Sequence, residues 1–211
     1  MNTTQDIPEI KDLCVMQISS LDSFADCFAD GFCGTSLMNY FYNGECGEEI
    51  TGLMWGVSIR AYNGQLLGLG DSERPDAVTL FAPPGSRDPG LFTYVRAGGL
   101  KLVRKFGVSG TARMENFENL AAKIKKKYAT ENCWYLFGFV SRRDSRGKGC
   151  GKSVLSPMLS YFDRTGQDCY LETVVPENVE MYQHFGFELM ESAAIPDSEL
   201  TLYSMLRKAV K

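Results

Sequence analysis

The chain switches repeatedly between short apolar runs and longer stretches in which apolar residues recur every three or four positions, the signatures of strand and helix respectively. Leu13–Ile18 reads as a first strand, and the helix after it places Phe24, Phe28 and Phe32 on one face. The aromatic-rich stretch Met38–Tyr42 follows, then a helix around Ile50–Ala61. Gln65–Gly70 and Ala77–Ala82 read as two strands, the second stopped by Pro83-Pro84-Gly85. Two helical patterns occupy the segment beyond. The first, Leu91–Phe106, is weakened in its middle by Gly98-Gly99. The second carries Met114, Phe117, Leu120, Ala121, Ile124 and Tyr128 as an apolar stripe. Lys123, Lys125, Lys126 and Lys127 sit beside that stripe and read as a solvated face. Trp134–Val140 is strongly apolar and predicts a buried strand. Val154, Leu155, Met158, Leu159 and Phe162 then recur at helical spacing. Cys169–Val175 predicts a second strand parallel to its neighbour, Pro176 opens a short helix that Gly186 ends, and Leu200–Leu206 alternates as a closing strand.

The order of these elements makes the chain α/β. Its 211 residues and 44% hydrophobic content suit one globular domain that buries roughly 70% of the unfolded surface. No apolar run approaches the ~20 residues that span a bilayer, and the N-terminus lacks the charged and apolar regions of a secretory signal. Seven cysteines without a CxxC pair point to reduced thiols and a cytoplasmic location. The same spacing, with His184 as the lone histidine, argues against a metal site. A net charge of −4 and dispersed acids argue against nucleic acid as a partner.

One segment runs against that acidic background. Arg142, Arg143, Arg146, Lys148 and Lys152 accompany Gly147, Gly149 and Gly151 between the Trp134–Val140 strand and the next helix. A strand, a glycine-rich turn and a helix N-terminus together form an anion site, because the first N–H groups of a helix lack intrahelical partners and its dipole favours negative charge there. The ligand implied is a phosphorylated cofactor; the alternative is a solvated basic turn. A Walker loop would need its first glycine at Arg146, and a dinucleotide fingerprint would need a different glycine spacing. Arg146-Gly147-Lys148-Gly149-Cys150-Gly151 instead satisfies Arg/Gln-x-x-Gly-x-Gly/Ala.

With that motif the chain resembles the GNAT acetyltransferase superfamily, in which it cradles the pyrophosphate of acetyl-CoA. Tyr182-Gln183-His184-Phe185-Gly186-Phe187 resembles the Tyr-x-x-x-Gly-Phe signature of the same superfamily. The likeness covers Trp134 to Arg207. It implies a mixed, mostly antiparallel central sheet with one splayed parallel strand pair, flanked by helices. Residues 133–207 would bind acetyl-CoA, and residues 1–132, with a helical insertion at 86–130, would form the acceptor side, including Met38–Tyr42 and the helix after it. Pantetheine would pair with the splayed strand at Phe139 and Val140, and a backbone N–H there would polarise the thioester carbonyl. Arg146, Gly147, Lys148, Gly149, Cys150, Gly151, Lys152 and Ser153 would hold the phosphates. The superfamily's pantetheine-contacting Asn falls at Val175 here, with Asn178 as the substitute.

The resemblance implies transfer of an acetyl group to an amine by direct attack in a ternary complex. Tyr182 maps onto the residue that protonates the leaving thiolate, or else packs on an amphipathic helix. Glu172, inside an apolar strand, is the candidate base, since burial would raise its pKa toward proton abstraction. It could equally anchor a cationic amine or face water. His184, two residues beyond Tyr182, points elsewhere on a helix, and Cys150 has no step to perform. Pro83-Pro84-Gly85 resembles the outline of relatives with small-molecule or antibiotic acceptors. The expected partner is therefore a small-molecule amine, with the protein a monomer or homodimer. A protein N-terminal or lysine acetyltransferase, or a non-catalytic CoA-binding sensor, is the alternative. Glu45, Glu48 and Glu49 could attract a cation or form a solvated acidic loop.

Overall fold

A computed structural model describes residues 14–16, 21–62, 64–70 and 74–210. The elements in chain order are β1 (Cys14–Met16), α1 (Leu21–Phe32), α2 (Ser36–Tyr42), α3 (Glu48–Ala61), β2 (Leu67–Gly70), β3 (Ala77–Ala82), α4 (Leu91–Ala97) and α5 (Gly99–Tyr128). They continue with β4 (Cys133–Ser141), α6 (Cys150–Thr165), β5 (Asp168–Thr173), α7 (Pro176–His184), β6 (Glu188–Ala194) and β7 (Thr201–Arg207). The ends of the expected first strand, Leu13, Gln17 and Ile18, lie outside the described residues.

Among the described residues, seven strands form one sheet in the order β1-β2-β3-β4-β5-β7-β6. Every neighbouring pair is antiparallel except β4 and β5. The expected mixed sheet with helices on both faces is therefore present. On one face, α6 lays Leu155, Met158, Leu159 and Phe162 against Phe81, Trp134, Leu136, Leu171 and Met205, using the apolar stripe that the sequence places on this helix. On the other face, Phe24 and Phe28 of α1 pack with Ile59 of α3 on Val78, Leu80 and Val140. Ala121 and Ile124 of α5 cover Leu202 farther along that face.

The insertion is built differently from its sequence pattern. Gly98, at φ 109°, closes α4 where the pattern only weakens a longer helix, and α5 consists of two helical arms separated at Gly107, whose φ is 68°, directly after the Phe106 at which the pattern ends its first helix. The first arm of α5 packs Leu102 and Phe106 against Met38 and Phe41 of α2. In the aromatic stretch expected to line an acceptor pocket, Met38 and Phe41 are thus core, while Tyr40 and Tyr42 are half-buried and Tyr40 donates its hydroxyl to Pro196 O at 2.8 Å. No sequence pattern predicts β6. Its side chains are exposed or half-buried along its whole length, so it lacks an apolar run.

At the far end, Arg207 is almost fully covered and holds Asp163 with two bonds of 2.8 and 2.7 Å, while its Nε donates to Phe185 O at 2.9 Å. This bidentate pair ties β7 to α6 and to the turn after α7. Among the described residues no helix is long and apolar enough to cross a membrane.

Candidate active site

The parallel pairing of β4 and β5 covers only Cys133–Tyr135 against Asp168–Tyr170. Beyond Tyr135, β4 continues to Ser141 hydrogen-bonded to β3 alone, and β5 continues to Thr173 bonded to β7 alone. The cause lies in β4. Its register against β3 slips between Leu80 and Phe81, whose partners are Gly138 and Leu136, so Phe137 is an extra residue. A bulge of this kind bends and twists its strand. It also resets the alternation of side chains: Leu136 and Phe139 face α6, whereas Phe137 and Val140 face α1 and α3. The result is a gap between two strand edges that do not pair with each other. The β4 side of that gap includes Phe139 and Val140.

The N-terminus of α6 stands at the mouth of that gap. Gly147 and Gly149 have φ of 76° and 85°, a region in which a side chain would be strained, and Gly149 caps the helix without any side-chain bond. The first N–H inside the helix to find a carbonyl is that of Ser153, which bonds Gly149 O at 3.2 Å. The amides of Cys150, Gly151 and Lys152 remain available to an anion. Gly151 serves closeness rather than conformation: a Cβ there would lie 2.8 Å from the Phe139 ring and 3.2 Å from Ser141 Oγ. The glycines thus let the helix start directly against β4.

The basic cluster divides into two groups. Arg142 donates to Pro75 O at 2.9 Å, Arg143 pairs with Asp30 at 3.2 Å and Arg146 donates to Gly31 O at 2.7 Å. These three tie the turn to α1 and to the start of β3, and Arg146 acts first as a brace for the turn. Arg143 and its backbone N–H hold the Asp30 carboxyl below its usual range despite the opposing pull of burial. Lys148 and Lys152 form no ion pair among the described residues. Ser153 Oγ donates back to Cys150 O at 2.7 Å, leaving only its lone pairs for other partners. Asn178 is tethered toward Thr173 Oγ1 at 3.4 Å, at the start of α7 beside Val175.

Tyr182 projects from α7 into the cluster under α6, its ring centroid 6.2 Å from that of Phe139 and 5.7 Å from that of Phe187. It is 6% exposed, and burial pushes its phenol well above the usual value, so it stays protonated. It thus packs with the core and also borders the splayed strand. His184 lies outside this group, bonded through Nδ1 to Glu180 O at 2.7 Å.

Glu172 lies on the opposite face of the sheet. Its register partner is Ser204, and Tyr170 precedes it on the same face of β5. Burial pushes its carboxyl up to about 7, against the pull of the Tyr135 and Tyr170 phenols and of the Lys125 charge. The residue as a whole is half-buried, yet Oε1 is fully covered and has no hydrogen-bond partner. That combination describes a carboxylate on the floor of a cleft. Tyr170 Oη and Ser204 Oγ beside it are also covered and form no hydrogen bond of good geometry, although Ser204 and Glu172 lie close enough to act on the Tyr170 phenol.

The family comparison covers the elements that build this glycine-flanked helix start and the gap beside it. The sequence profile of the acetyltransferase (GNAT) family fits residues 79–187, just over half of the chain. The chain belongs to the GNAT family. An uncharacterized N-acetyltransferase of Schizosaccharomyces pombe is 26% identical over 141 residues, and the alignment takes in 64% of this chain and 56% of that protein. The chain therefore spans little more than half the length of this curated relative. Among solved structures, a histone acetyltransferase HPA2-related protein of Corynebacterium glutamicum superposes with a TM-score of 0.61 at 17% identity, over 94% of this chain and 96% of that one. A polyamine N-acetyltransferase of Drosophila melanogaster that forms N-acetylagmatine gives a TM-score of 0.60 at 10% identity, over 93% and 100%. At such identities these likenesses speak for the fold.

Within this GNAT chain, sequence reasoning overlooks the surroundings of Glu172. Lys125, expected to be solvated with its lysine neighbours, turns inward: its Nζ lies 2.7 Å from Asp88 and 4.5 Å above the Tyr135 ring. Tyr62 donates its hydroxyl to Asp88 at 3.3 Å, and its ring lies 4.7 Å from that of Phe137 at a tilt of 58°. Glu118, two turns before Lys125 on α5, raises the pKa of Tyr62, Tyr94, Tyr135 and Glu172 alike. Glu118 is seven residues from Lys125, a helical repeat that could have marked a shared face. By contrast, Glu48 and Glu49 pair with Arg143 and Lys105 on the surface, away from the cleft.

Proposed function

We propose that this chain is an acetyl-CoA-dependent N-acetyltransferase that acts on a small-molecule amine by direct attack in a ternary complex. The observation that carries the reading is the coincidence of three features: unpaired strand edges, an uncapped helix N-terminus, and two pKa-shifted groups on opposite sides of the gap. The residues fit acetyl-CoA. The free amides of Cys150, Gly151 and Lys152 and the ammonium groups of Lys148 and Lys152 suit a pyrophosphate. The open edge of β4 around Phe139 and Val140 offers peptide groups to a pantetheine arm in the way a sheet edge takes an added strand.

When bound, acetyl-CoA supplies a thioester whose C–S bond breaks as the amine N–C bond forms, leaving a thiolate that must gain a proton. Tyr182, kept protonated by burial, is positioned on the β4 side of the gap to give that proton. Glu172, with a pKa of about 7, takes the proton that the amine must lose. Such a value suits a base working near neutrality, since it is ionised often enough to act and basic enough to accept. Backbone N–H groups on the unpaired edge of β4 would stabilise the developing negative oxygen. The two faces of the sheet thus divide the work, with the donor on the α6 side and the acceptor on the α5 side.

The test is thiol release from acetyl-CoA on adding a panel of small amines, with acylated product identified by mass. Amine-dependent release supports the reading. Tight CoA binding with no transfer to any amine or peptide would favour a sensor instead.

A further inference from the structure

The cleft above Glu172 holds more negative charge than the fold neutralises. Asp88 comes from the segment between β3 and α4, Glu118 from α5 and Glu172 from β5. Lys125 is the cation that acts on both Glu118 and Glu172, and it is committed to Asp88 by bonds of 2.7 and 3.0 Å. Among the described residues Glu118 forms neither an ion pair nor a hydrogen bond. It is well exposed, yet protein surrounds it closely enough to push its carboxyl up, with Asp88 adding to the effect and Lys125 opposing it. Glu118 lies two helical turns before Lys125 on α5 and so shares the helix face from which Lys125 reaches Asp88.

Independent signs point to a ligand there. Glu172 Oε1 and the hydroxyl of the fully buried Tyr170 are covered and form no hydrogen bond of good geometry, even though the Tyr135 and Tyr170 phenols lie close enough to pull on the Glu172 carboxyl. Unsatisfied buried polar groups are costly, and their persistence on a cleft floor is explained when something else supplies the partner. The cleft also shows what it accepts. The Lys125 side chain is an alkylammonium seated between the Asp88 carboxylate and the Tyr135 face, 4.5 Å from the ring. Aromatic rings favour a cation on their faces. Tyr62, which donates to the same Asp88 at 3.3 Å, lies 4.7 Å from Phe137 and extends the aromatic surface.

We propose that the acceptor is an aliphatic diamine, whose reacting amine meets Glu172 and whose second ammonium is held by Glu118. This rests on the acetyltransferase reading and deepens it. A monoamine would leave one of the two carboxylates uncompensated, so the cleft selects for a second positive charge. Glu118 is a binding residue here, and Glu172 serves the reacting nitrogen.

The experiment uses the full chain and compares kcat/KM for 1,4-diaminobutane, 1-aminobutane and 2-phenylethylamine by thiol release. The expected preference for the diamine is roughly tenfold to a hundredfold, the range for a charge-assisted contact. In Glu118→Gln that preference should collapse toward parity, mainly through a higher KM for the diamine. A second readout avoids turnover. In the presence of CoA, 1,4-diaminobutane should raise the melting temperature of the natural chain and not that of Glu118→Gln. Calorimetry with CoA shows whether the variant has kept its fold. Equal or better use of either monoamine, or an unchanged preference in Glu118→Gln, overturns the diamine assignment while leaving the acetyltransferase reading intact. CoA binding without turnover of the diamine also overturns it. Failure to bind CoA at all would instead remove the reading on which it rests.

Discussion

Replacing Glu172 with Gln removes a charge that the fold holds at a cost, and the size of that cost follows from its pKa. The carboxyl titrates near 4.5 in an unfolded chain and at about 7 in the folded protein. An acid that binds its proton more tightly when folded favours folding at low pH, and that advantage is lost as pH rises from the unfolded value through the folded one. Above both values the ionised Glu172 destabilises the protein by about 3 kcal/mol; at pH 5 the same linkage leaves only about 0.8 kcal/mol. Gln is isosteric and uncharged, so Glu172→Gln should be clearly more stable than the natural chain at pH 8 and close to it at pH 5. The groups that share the cleft are Tyr135 from β4, Tyr170 from β5, and Lys125 and Glu118 from α5, and all are retained in the variant. Urea unfolding at the two pH values measures the difference directly. Activity should move the opposite way: the natural enzyme gains kcat/KM as pH rises through about 7, and the variant loses that limb of the profile along with most of its rate. A stability difference that is the same at pH 5 and pH 8 would refute the reasoning, because it would mean that Glu172 titrates alike in the folded and unfolded chain.

Other sites give separate expectations. Tyr182→Phe keeps the ring packed beside Phe139 and Phe187 and removes only the proton donor, so kcat should fall about a hundredfold with CoA affinity unchanged, as stopped-flow and calorimetry would show. Gly151→Ala would drive a Cβ to 2.8 Å from the Phe139 ring; a loss of about 1–3 kcal/mol in stability and weaker CoA binding should follow in denaturation and titration. Lys148→Ala combined with Lys152→Ala should weaken CoA binding by roughly tenfold in calorimetry. Arg143→Ala should change that affinity little, since Arg143 is already paired with Asp30. Arg207→Ala strands Asp163, whose carboxyl the guanidinium now holds below its usual range, and should cost about 2 kcal/mol in a melt, less than a fully buried pair because Asp163 remains 28% exposed.

The parts of the fold that are legible in the sequence are those in which one local rule dominates. The α6 stripe, the apolar β4 and the glycine turn between them each carry a pattern that burial or backbone geometry imposes alone. Pro176 and Gly186 bracket α7 closely, with Gly186 at φ 86° just beyond the helix. What escapes depends on partners remote in sequence. The exposed and half-buried β6 is a strand because β7 offers an edge for pairing, which no periodicity announces. The pattern ends the first helix of the insertion at Phe106, and the chain does break at Gly107; what the pattern understates is Gly98, which ends α4 outright instead of only weakening a longer helix. Packing on α2 aligns the two arms: Leu102 and Phe106 before the break and Met114 and Phe117 after it share one cluster with Met38 and Phe41. Lys125 reads as one of several solvated lysines until Asp88 and Tyr135 close around it. Glu172 stands out as a charge in an apolar strand, but Glu118 does not, since a carboxylate beside a helical stripe is ordinary until the facing wall of the cleft is known.

The claim at the centre of this account is that CoA occupies the gap between β4 and β5 with its phosphates on the start of α6. Amide hydrogen exchange with and without CoA tests it most directly. Slower exchange concentrated in peptides covering Leu136–Ser141 and Gly147–Ser153 is the predicted result, because those segments carry the amides that lack partners within the fold and would gain them from the ligand. CoA binding with protection elsewhere, or with none in these two segments, would contradict it.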